Sequence, residues 1–244
     1  MSRDVMRNRL LAQMAGAIDL ARHRVRLKQG FSGPFNGQRR RIAIVEAIMS
    51  GEDFGSAIET GTYRGNTTKF LADRLPHVVS IEINPRYVSF ARLRLRARKN
   101  VKIIEGDSVG HLPAILRQQQ AGKPVFVYLD AHWGGNLPLA KELRILEDSA
   151  LDYAAAIDDF KVPGDDGYGY DSSIGPALVF KAIPRLRRLW VPAAPSETEA
   201  GSMRGTGFVA SPAMEPLLET LARANLLRPV ERSGRTALAV KILD

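Results

Sequence analysis

Short apolar runs alternate with longer segments of helical apolar spacing through the middle of this chain. The runs are rich in valine and isoleucine and stop at glycine or acidic residues, as buried strands do. Strands are predicted in this way at 56–59, 78–82, 101–108, 124–130 and 153–158. The alternation predicts an α/β fold, with a doubly wound, Rossmann-like and mostly parallel sheet and helices on both of its faces.

The two ends of the chain follow a different pattern. Two helices are predicted before the first strand, at 4–28 and 38–49. Beyond residue 159 the pattern loosens into loops at 161–173 and 192–205, a helix at 175–188, a strand at 207–210, a helix at 212–224 and a hairpin at 227–242. We therefore expect a basic helical extension or lid at 1–50 and a Rossmann-like domain at 51–244, with a substrate-region insertion near 161–211.

Composition limits the kinds of site that the chain can build. Hydrophobic residues make up 45% of the 244 residues and charged residues 25%, which fits one globular domain with a sizeable core. There is no cysteine, so disulfides and thiolate metal sites are excluded. A metal ion would need oxygen or imidazole ligands.

Positive charge is concentrated at the amino terminus. The formal net charge is +9, and ten of the 35 lysines and arginines lie within the first 41 residues, where the only acids are Asp4 and Asp19. Such a segment could meet an acidic substrate, a nucleic acid or a lipid surface, or serve only as a solubilising arm. Charges interrupt its apolar runs, so no secretory or membrane-spanning segment is predicted, and we expect a cytoplasmic protein whose amino-terminal helices could pair in a homo-oligomer.

Polar residues and glycines stand where the first three predicted strands end. Gly61 and Gly65 follow the first strand in a turn that leads into a helix, where backbone can approach a ligand closely. Glu82 ends the second strand and is a candidate to accept hydrogen bonds from a ribose diol. Asp107 and Ser108 end the third strand and are candidates to bind an adenine. The order predicts a nucleoside-bearing cofactor, although glycines in an ordinary tight turn with a solvated glutamate are the simpler alternative.

The spacing of the glycines separates two cofactor families. The G-x-G-x-x-G motif of nicotinamide dehydrogenases is not met, because Gly61 is followed by three residues before Gly65. The E-x-G-x-x-x-G motif that begins at Glu59 resembles the first motif of class I S-adenosylmethionine-dependent methyltransferases. That resemblance implies S-adenosylmethionine as the cofactor, with a site made of Glu59, Gly61, Thr62, Tyr63, Gly65, Glu82, Asp107, Ser108 and Asp130.

Three carboxylates are expected to converge at the same edge of the sheet. Asp130 ends the fourth predicted strand, and Asp158 and Asp159 end the fifth. Clustered carboxylates repel one another unless a cation lies between them, and Mg²⁺ prefers such ligands. An alternative is that the aspartate pair caps the following segment. The three residues resemble the metal triad of magnesium-dependent O-methyltransferases of the catechol and sugar types, and this resemblance implies a Mg²⁺ site.

The resemblance also implies an acceptor and a base. Two adjacent hydroxyls of the acceptor would chelate the metal, and in the sugar enzymes a carboxylate two positions after the first ligand removes the proton. Here that position is His132, an imidazole that can do the same work, with Lys161 as a second candidate base. The expected function is O-methylation of a polyhydroxylated small molecule or saccharide.

Three other functions stay open. A metal-independent methyltransferase shares the same cofactor motif. A nucleic-acid methyltransferase would use the basic amino-terminal arm, but the Pro-Pro-Tyr type of signature of amino-methylating enzymes is missing after the fourth strand, where the chain reads Asp130-Ala-His-Trp133. A non-catalytic cofactor-binding protein would not need the acidic cluster.

Overall fold

Eight strands form one sheet in the computed structural model of this chain, which describes residues 3–28, 33–131, 137–171 and 173–232. The strands are β1 (Ser56–Thr60), β2 (Val78–Glu82), β3 (Val101–Glu105), β4 (Val125–Leu129), β5 (Tyr153–Ile157), β6 (Arg188–Pro192), β7 (Gly207–Ala210) and β8 (Leu227–Glu231). The first five are the strands that the sequence predicts, shortened or extended by a few residues at their ends.

Helices connect the strands of this sheet. They are α1 (Arg3–Lys28), α2 (Arg39–Gly51), α3 (Asn66–Ala72), α4 (Pro85–Arg94), α5 (Ser108–Leu116), α6 (Leu139–Glu147), α7 (Pro176–Ala182) and α8 (Glu215–Arg223). Within the described ranges, none of them combines the length and the apolar character needed to cross a bilayer. The division of the chain at residue 50 stays a prediction.

The strand order across the sheet is β3-β2-β1-β4-β5-β7-β6-β8. Strands β1 to β5 are parallel, whereas β7 runs antiparallel to β5 and β6, and β8 runs antiparallel to β6. The predicted fold class is confirmed. The chain winds outward to β3 on one side of β1 and through β4 and β5 on the other, so a switch point lies between β1 and β4, where open α/β sheets bind ligands.

Both faces of the central strands are buried, which explains why these strands read as nearly unbroken apolar runs. Val127 and Leu129 of β4 pack with Ile58 into the core cluster that α5, α6 and α7 cover. Phe126 and Tyr128 point to the other face, into the cluster that α2, α3 and α8 cover. Tyr128 therefore brings a hydroxyl group into an otherwise apolar layer, close to the carboxyl end of its strand.

The carboxyl-terminal third differs from the prediction at two places. The helix predicted at 175–188 ends at Ala182, because Pro184 lacks a backbone N–H and disfavours helical geometry in the residue before it. Strand β6 follows, and its residues 189–191 are buried. The arginines before it interrupt the apolar run, so the sequence pattern does not indicate a strand there. Of the hairpin predicted at 227–242, β8 is the first strand, and residues 233–242 lie outside the described ranges.

Helix α1 lies against α4 along one side. A Cβ atom at Gly16 would come within 2.2 Å of the carbonyl oxygen of Arg86, so only glycine permits this approach. Arg86 Nε donates to Asp19 at 2.8 Å, and Arg9 Nε lies 2.7 Å from Glu105 at the end of β3. These contacts fix which side of α1 faces the rest of the molecule.

Candidate functional site

A cavity opens at the carboxyl edge of the sheet, at the switch point between β1 and β4. Its volume is about 420 Å³ when the part open to solvent is included. The predicted cofactor residues that line it are Glu59, Gly61, Thr62, Tyr63 and Asp130. Asn36 and Tyr128 line it as well, although the sequence does not single them out. An opening in the surface therefore lies where the glycine motif predicts a cofactor site.

The turn after β1 needs its glycines. Gly61 has a φ of +90°, and a Cβ atom there would lie 2.3 Å from the backbone oxygen of Asp130. Gly65 has a φ of +70° and precedes α3. Left-handed backbone of this kind favours glycine, which the sequence supplies at both positions. The turn consequently lies close to the end of β4 and forms one wall of the cavity.

Glu82 ends β2 with its carboxylate held in place by backbone. One carboxylate oxygen accepts the N–H of Tyr63 at 2.8 Å, and the other accepts the N–H of Asn84 at 2.8 Å. Glu82 is buried, and burial raises the pKa of its carboxyl group against the lowering effect of these hydrogen bonds. Because Tyr63 lines the cavity, the predicted ribose acceptor lies directly behind the cavity wall.

Glu59 is buried at the base of the cavity. Its carboxylate accepts hydrogen bonds from the hydroxyls of Thr68 and Ser80, and Ser80 also lies 2.5 Å from the hydroxyl of Thr62. Burial raises the pKa of Glu59 to about 7, even though the two hydroxyls stabilise the ionised form. Near neutral pH this carboxyl group is therefore protonated in part of the molecules.

Asp107 and Ser108 lie apart from the lining of the cavity. Asp107 is exposed and caps α5, because its carboxylate accepts the N–H of Gly110 at 2.9 Å. Ser108 is the buried first residue of that helix. Since β3 pairs with β2, both residues follow Glu82 along the same edge of the sheet. Their assignment to an adenine stays a prediction.

Asp158 lies at the end of β5, buried and surrounded by donors. One carboxylate oxygen accepts hydrogen bonds from Arg41 Nη1 at 2.6 Å and from the N–H of Asp159 at 2.8 Å. The other accepts hydrogen bonds from the hydroxyl of Tyr128 at 2.7 Å and from the amide of Asn36 at 2.8 Å. Two hydrogen bonds on each oxygen use the four lone-pair positions of the carboxylate.

Arg41 supplies the positive charge of this network. Its guanidinium group is buried and donates further hydrogen bonds to the backbone oxygens of Arg204 and Gly205, the second at 3.2 Å. Burial alone would lower the pKa of Arg41, but the neighbouring Asp158 and Tyr128 raise it above its usual value. Arg41 is therefore charged, and it neutralises Asp158, one of the three carboxylates of the predicted metal site.

The structure does not support the predicted magnesium site. Asp158 pairs with Arg41, whereas Asp159 has a left-handed φ of +52° and pairs with Arg204. Burial, together with the charges of Asp158 and Asp159, raises the pKa of Asp130 well above its usual value. Within the described ranges, no group of three or more histidine and acidic side chains is arranged to hold a metal ion. The physical reason is that guanidinium groups, from α2 and from the segment before β7, already neutralise the aspartate pair.

Of the two candidate bases, the structure describes only Lys161. His132 lies outside the described residues. Lys161 is exposed, and its ammonium nitrogen lies 5.2 Å from the ring centroid of Tyr170 rather than in the lining of the cavity. Their catalytic roles stay predictions.

A strained turn before α2 carries Asn36 to the network. Phe35, Asn36 and Gly37 have φ values of +51°, +60° and +72°, and the first two are not glycines. Such backbone persists only where surrounding contacts fix it. Here Phe35 is buried, with its ring edge-to-face at 5.0 Å from Tyr128 and 5.1 Å from Phe70. Asn36 is thereby held over Asp158.

Sequence reasoning missed Asn36, Arg41 and Tyr128. A signal for Arg41 exists, because Arg41 precedes Ile44, Val45 and Ile48 at helical spacing and thus continues the apolar stripe of α2 inward. An arginine on such a stripe is buried and needs a carboxylate partner. Nothing local identifies that partner.

Comparisons with known proteins agree with the fold. No protein-family model matches the chain, and no curated protein sequence matches it. Among solved structures, the methyltransferase domain of bacterial CtHen1-CN covers 71% of this chain and 98% of its own, with 13% identity and a TM-score of 0.51. An S-adenosylmethionine-dependent methyltransferase from Aquifex aeolicus covers 70% and 89%, with 15% identity and a TM-score of 0.46. The amino pentose methyltransferase CalS10 from Micromonospora echinaspora covers 69% and 89%, with 15% identity and a TM-score of 0.46. Only the first of these likenesses has a TM-score above 0.5, and at 13% identity it shows a shared Rossmann-like methyltransferase fold and nothing beyond the fold.

Glu59 should make the stability of the protein fall as pH rises through neutrality. Its pKa is raised from 4.5 to about 7 by folding, so the folded state keeps a proton that the unfolded chain has lost, and stability is lost as pH rises from about 4.5 through about 7. Glu59→Gln cannot lose a proton and should gain up to about 3 kcal/mol relative to the wild type between pH 5 and pH 8. Urea unfolding at pH 5 and pH 8 measures the free energies of unfolding. Glu52→Gln, at an exposed position, is the control. Parallel pH curves for wild type and Glu59→Gln would contradict the assignment.

Breaking the Arg41–Asp158 pair should cost far more than breaking an exposed pair. Arg41→Met leaves a buried carboxylate without its cation, and the free energy of unfolding should fall by about 3 to 5 kcal/mol. Adding Asp158→Asn removes that charge, so the double variant should be more stable than Arg41→Met alone. Chemical unfolding of the double-mutant cycle measures the coupling, with the exposed Lys69–Asp73 pair as a control expected to give at most about 0.5 kcal/mol. Strictly additive effects at Arg41 and Asp158 would show that the two are not paired.

Proposed function

We propose that this chain is an S-adenosylmethionine-dependent methyltransferase that holds its cofactor beyond the carboxyl ends of β1 and β2. The observation that carries the proposal is the cavity at the switch point, walled by the Gly61 to Gly65 turn, with the carboxylate of Glu82 fixed directly behind it. When bound, S-adenosylmethionine supplies an electrophilic methyl carbon on its sulfonium.

The residues of the site fit such a cofactor. Backbone N–H groups hold both oxygens of Glu82 in place, and we propose that this carboxylate also accepts hydrogen bonds from the hydroxyls of a ribose. Gly61 has no side chain to fill the space between β1 and β4. Asp107 and Ser108 follow Glu82 along the same edge, and we propose that they bind the adenine of the cofactor. The methyl group of the cofactor would then lie near Asp130.

We also infer that methyl transfer here works without a metal ion. The support is the saturation of Asp158: its two oxygens accept four hydrogen bonds, one of them from the charged Arg41. A divalent cation would need those lone pairs and would be repelled by the guanidinium group. The function is therefore closer to the metal-independent alternative than to the magnesium-dependent enzymes that the aspartates resemble.

The acceptor is proposed from the sequence. A hydroxyl of a polyhydroxylated small molecule or saccharide fits the expected O-methylation, with His132 as the proposed base and Lys161 as the second candidate. Asn36 and Tyr128 line the cavity beside Asp130, and they offer neutral polar groups to such an acceptor.

Binding of S-adenosylhomocysteine, the product form of the cofactor, tests the proposal without a known acceptor. Isothermal titration calorimetry should show a single site, and Glu82→Gln should weaken binding by about 10- to 100-fold because a charged hydrogen-bond acceptor is lost. The matched control is Glu231→Gln at the end of β8 on the far edge of the sheet, which should bind as the wild type does. No binding by the wild type would overturn the proposed function.

Removal of metal ions tests the inference that methyl transfer works without a metal ion. Treatment with EDTA, and then addition of millimolar MgCl₂, should leave both the thermal midpoint and the affinity for S-adenosylhomocysteine unchanged. Potassium chloride at equal ionic strength controls for screening of charges. A tenfold gain in affinity, or a clear rise of the thermal midpoint, with Mg²⁺ but not with K⁺ would restore the metal site.

A further inference from the structure

One side of α1 is apolar and exposed. Among the large hydrophobic side chains that are exposed in the described ranges, four lie on this single helix and are half or more accessible: Leu10 (58%), Leu11 (57%), Met14 (58%) and Ile18 (50%). On the opposite side, Gly16 and Asp19 are buried against α4. The exposure is therefore a property of how α1 is held and not of a detached helix.

These side chains form one continuous surface. Residues three and four apart lie on the same side of a helix, so Leu11, Met14 and Ile18 follow one line and Leu10 lies beside it. Ala17 and the neighbouring Ala21 are exposed and extend the same strip. We call the six residues from Leu10 to Ala21 on this side the outer face of α1. It is about 17 Å long, and such continuous apolar surface usually marks a contact site.

Arginines stand at both ends of the outer face. Arg7 precedes Leu11 by four positions and Arg22 follows Ile18 by four, and both are exposed. The only acidic residue between Arg7 and Arg22 is Asp19, which is bonded to α4. The outer face therefore combines an apolar centre with positive ends.

This charge pattern decides between two kinds of partner. If two copies paired through α1, an antiparallel arrangement would place Arg7 beside Arg22, and a parallel one would place each arginine beside its own equivalent. Both arrangements bring like charges together without an acidic residue on the face to compensate them. An anionic surface pairs its negative charges with both arginines and also covers the apolar centre of the outer face.

We propose that the outer face of α1 binds the surface of an anionic lipid bilayer, with the helix axis parallel to the membrane plane. Leu10, Leu11, Met14 and Ile18 enter the boundary between headgroups and acyl chains, and Arg7 and Arg22 meet lipid phosphates. The contacts of Gly16 and Asp19 with α4 keep this face turned outward. The proposal is independent of the methyltransferase assignment, because none of these residues lines the cavity.

Vesicle co-sedimentation of the full chain tests the proposal. We expect binding to mixed phosphatidylcholine and phosphatidylglycerol vesicles, no binding to phosphatidylcholine alone, and weaker binding as salt increases. Leu11→Gln combined with Ile18→Gln should reduce the partition coefficient at least about tenfold. Arg7→Gln combined with Arg22→Gln should reduce it about tenfold as well.

Matched variants outside the outer face distinguish this proposal from nonspecific adsorption of the protein to vesicles. Leu93→Gln removes an exposed leucine of α4, and Arg117→Gln removes an exposed arginine after α5; both should bind vesicles as the wild type does. Circular dichroism and retained affinity for S-adenosylhomocysteine show that every variant is folded. Absence of binding by the wild type, or an equal loss in the Leu93 and Arg117 variants, overturns the proposal. Sedimentation velocity tests whether a second copy of the chain binds the outer face instead. A wild-type dimer that becomes a monomer in the variant with Leu11→Gln and Ile18→Gln would also overturn the proposal.

Discussion

The pairing of Arg41 with Asp158 is the interaction on which the site depends. Each of these charges would be costly if buried alone, because the interior solvates an isolated ion poorly. Paired, they join α2 to the end of β5 across 117 residues of sequence and orient the hydroxyl of Tyr128. Through Asp158, the pair thus holds Tyr128, which lines the cavity, and it joins α2 to the edge of the sheet.

The strained turn before α2 follows from the same constraint. Phe35 and Asn36 take left-handed backbone that costs energy in isolation, yet Phe35 fills a gap between two aromatic rings and Asn36 completes the hydrogen bonds of Asp158. The amino-terminal segment is consequently part of the cavity wall. Any ligand that fills the cavity meets Asn36 as well as the strand ends.

What the sequence predicts well is local. Gly61, Gly65 and Glu82 follow strands directly, so the rules for βα turns and strand ends place them at one edge without knowledge of distant contacts. The partner of Asp158 cannot be found in this way, because it comes from a helix that precedes the sheet. From the sequence alone, the three aspartates therefore predict a metal site. In the fold, guanidinium groups neutralise the aspartate pair instead. For a related reason strand β6 is not predicted, since it is identified by its pairing with β7 and β8, two strands that come later in the chain.

Carboxyl groups at the sheet edge are stabilised in three different ways, and the differences determine what each can do. Glu82 has backbone N–H donors on both of its carboxylate oxygens. Glu59 has two hydroxyl donors and a pKa of about 7, so it holds a proton for part of the time at neutral pH. Asp158 has a guanidinium partner and no lone pair left. Of the three, Glu82 is oriented by backbone N–H groups and not by a side-chain partner, and this difference is why we propose Glu82, rather than Glu59 or Asp158, as the carboxylate that recognises the cofactor.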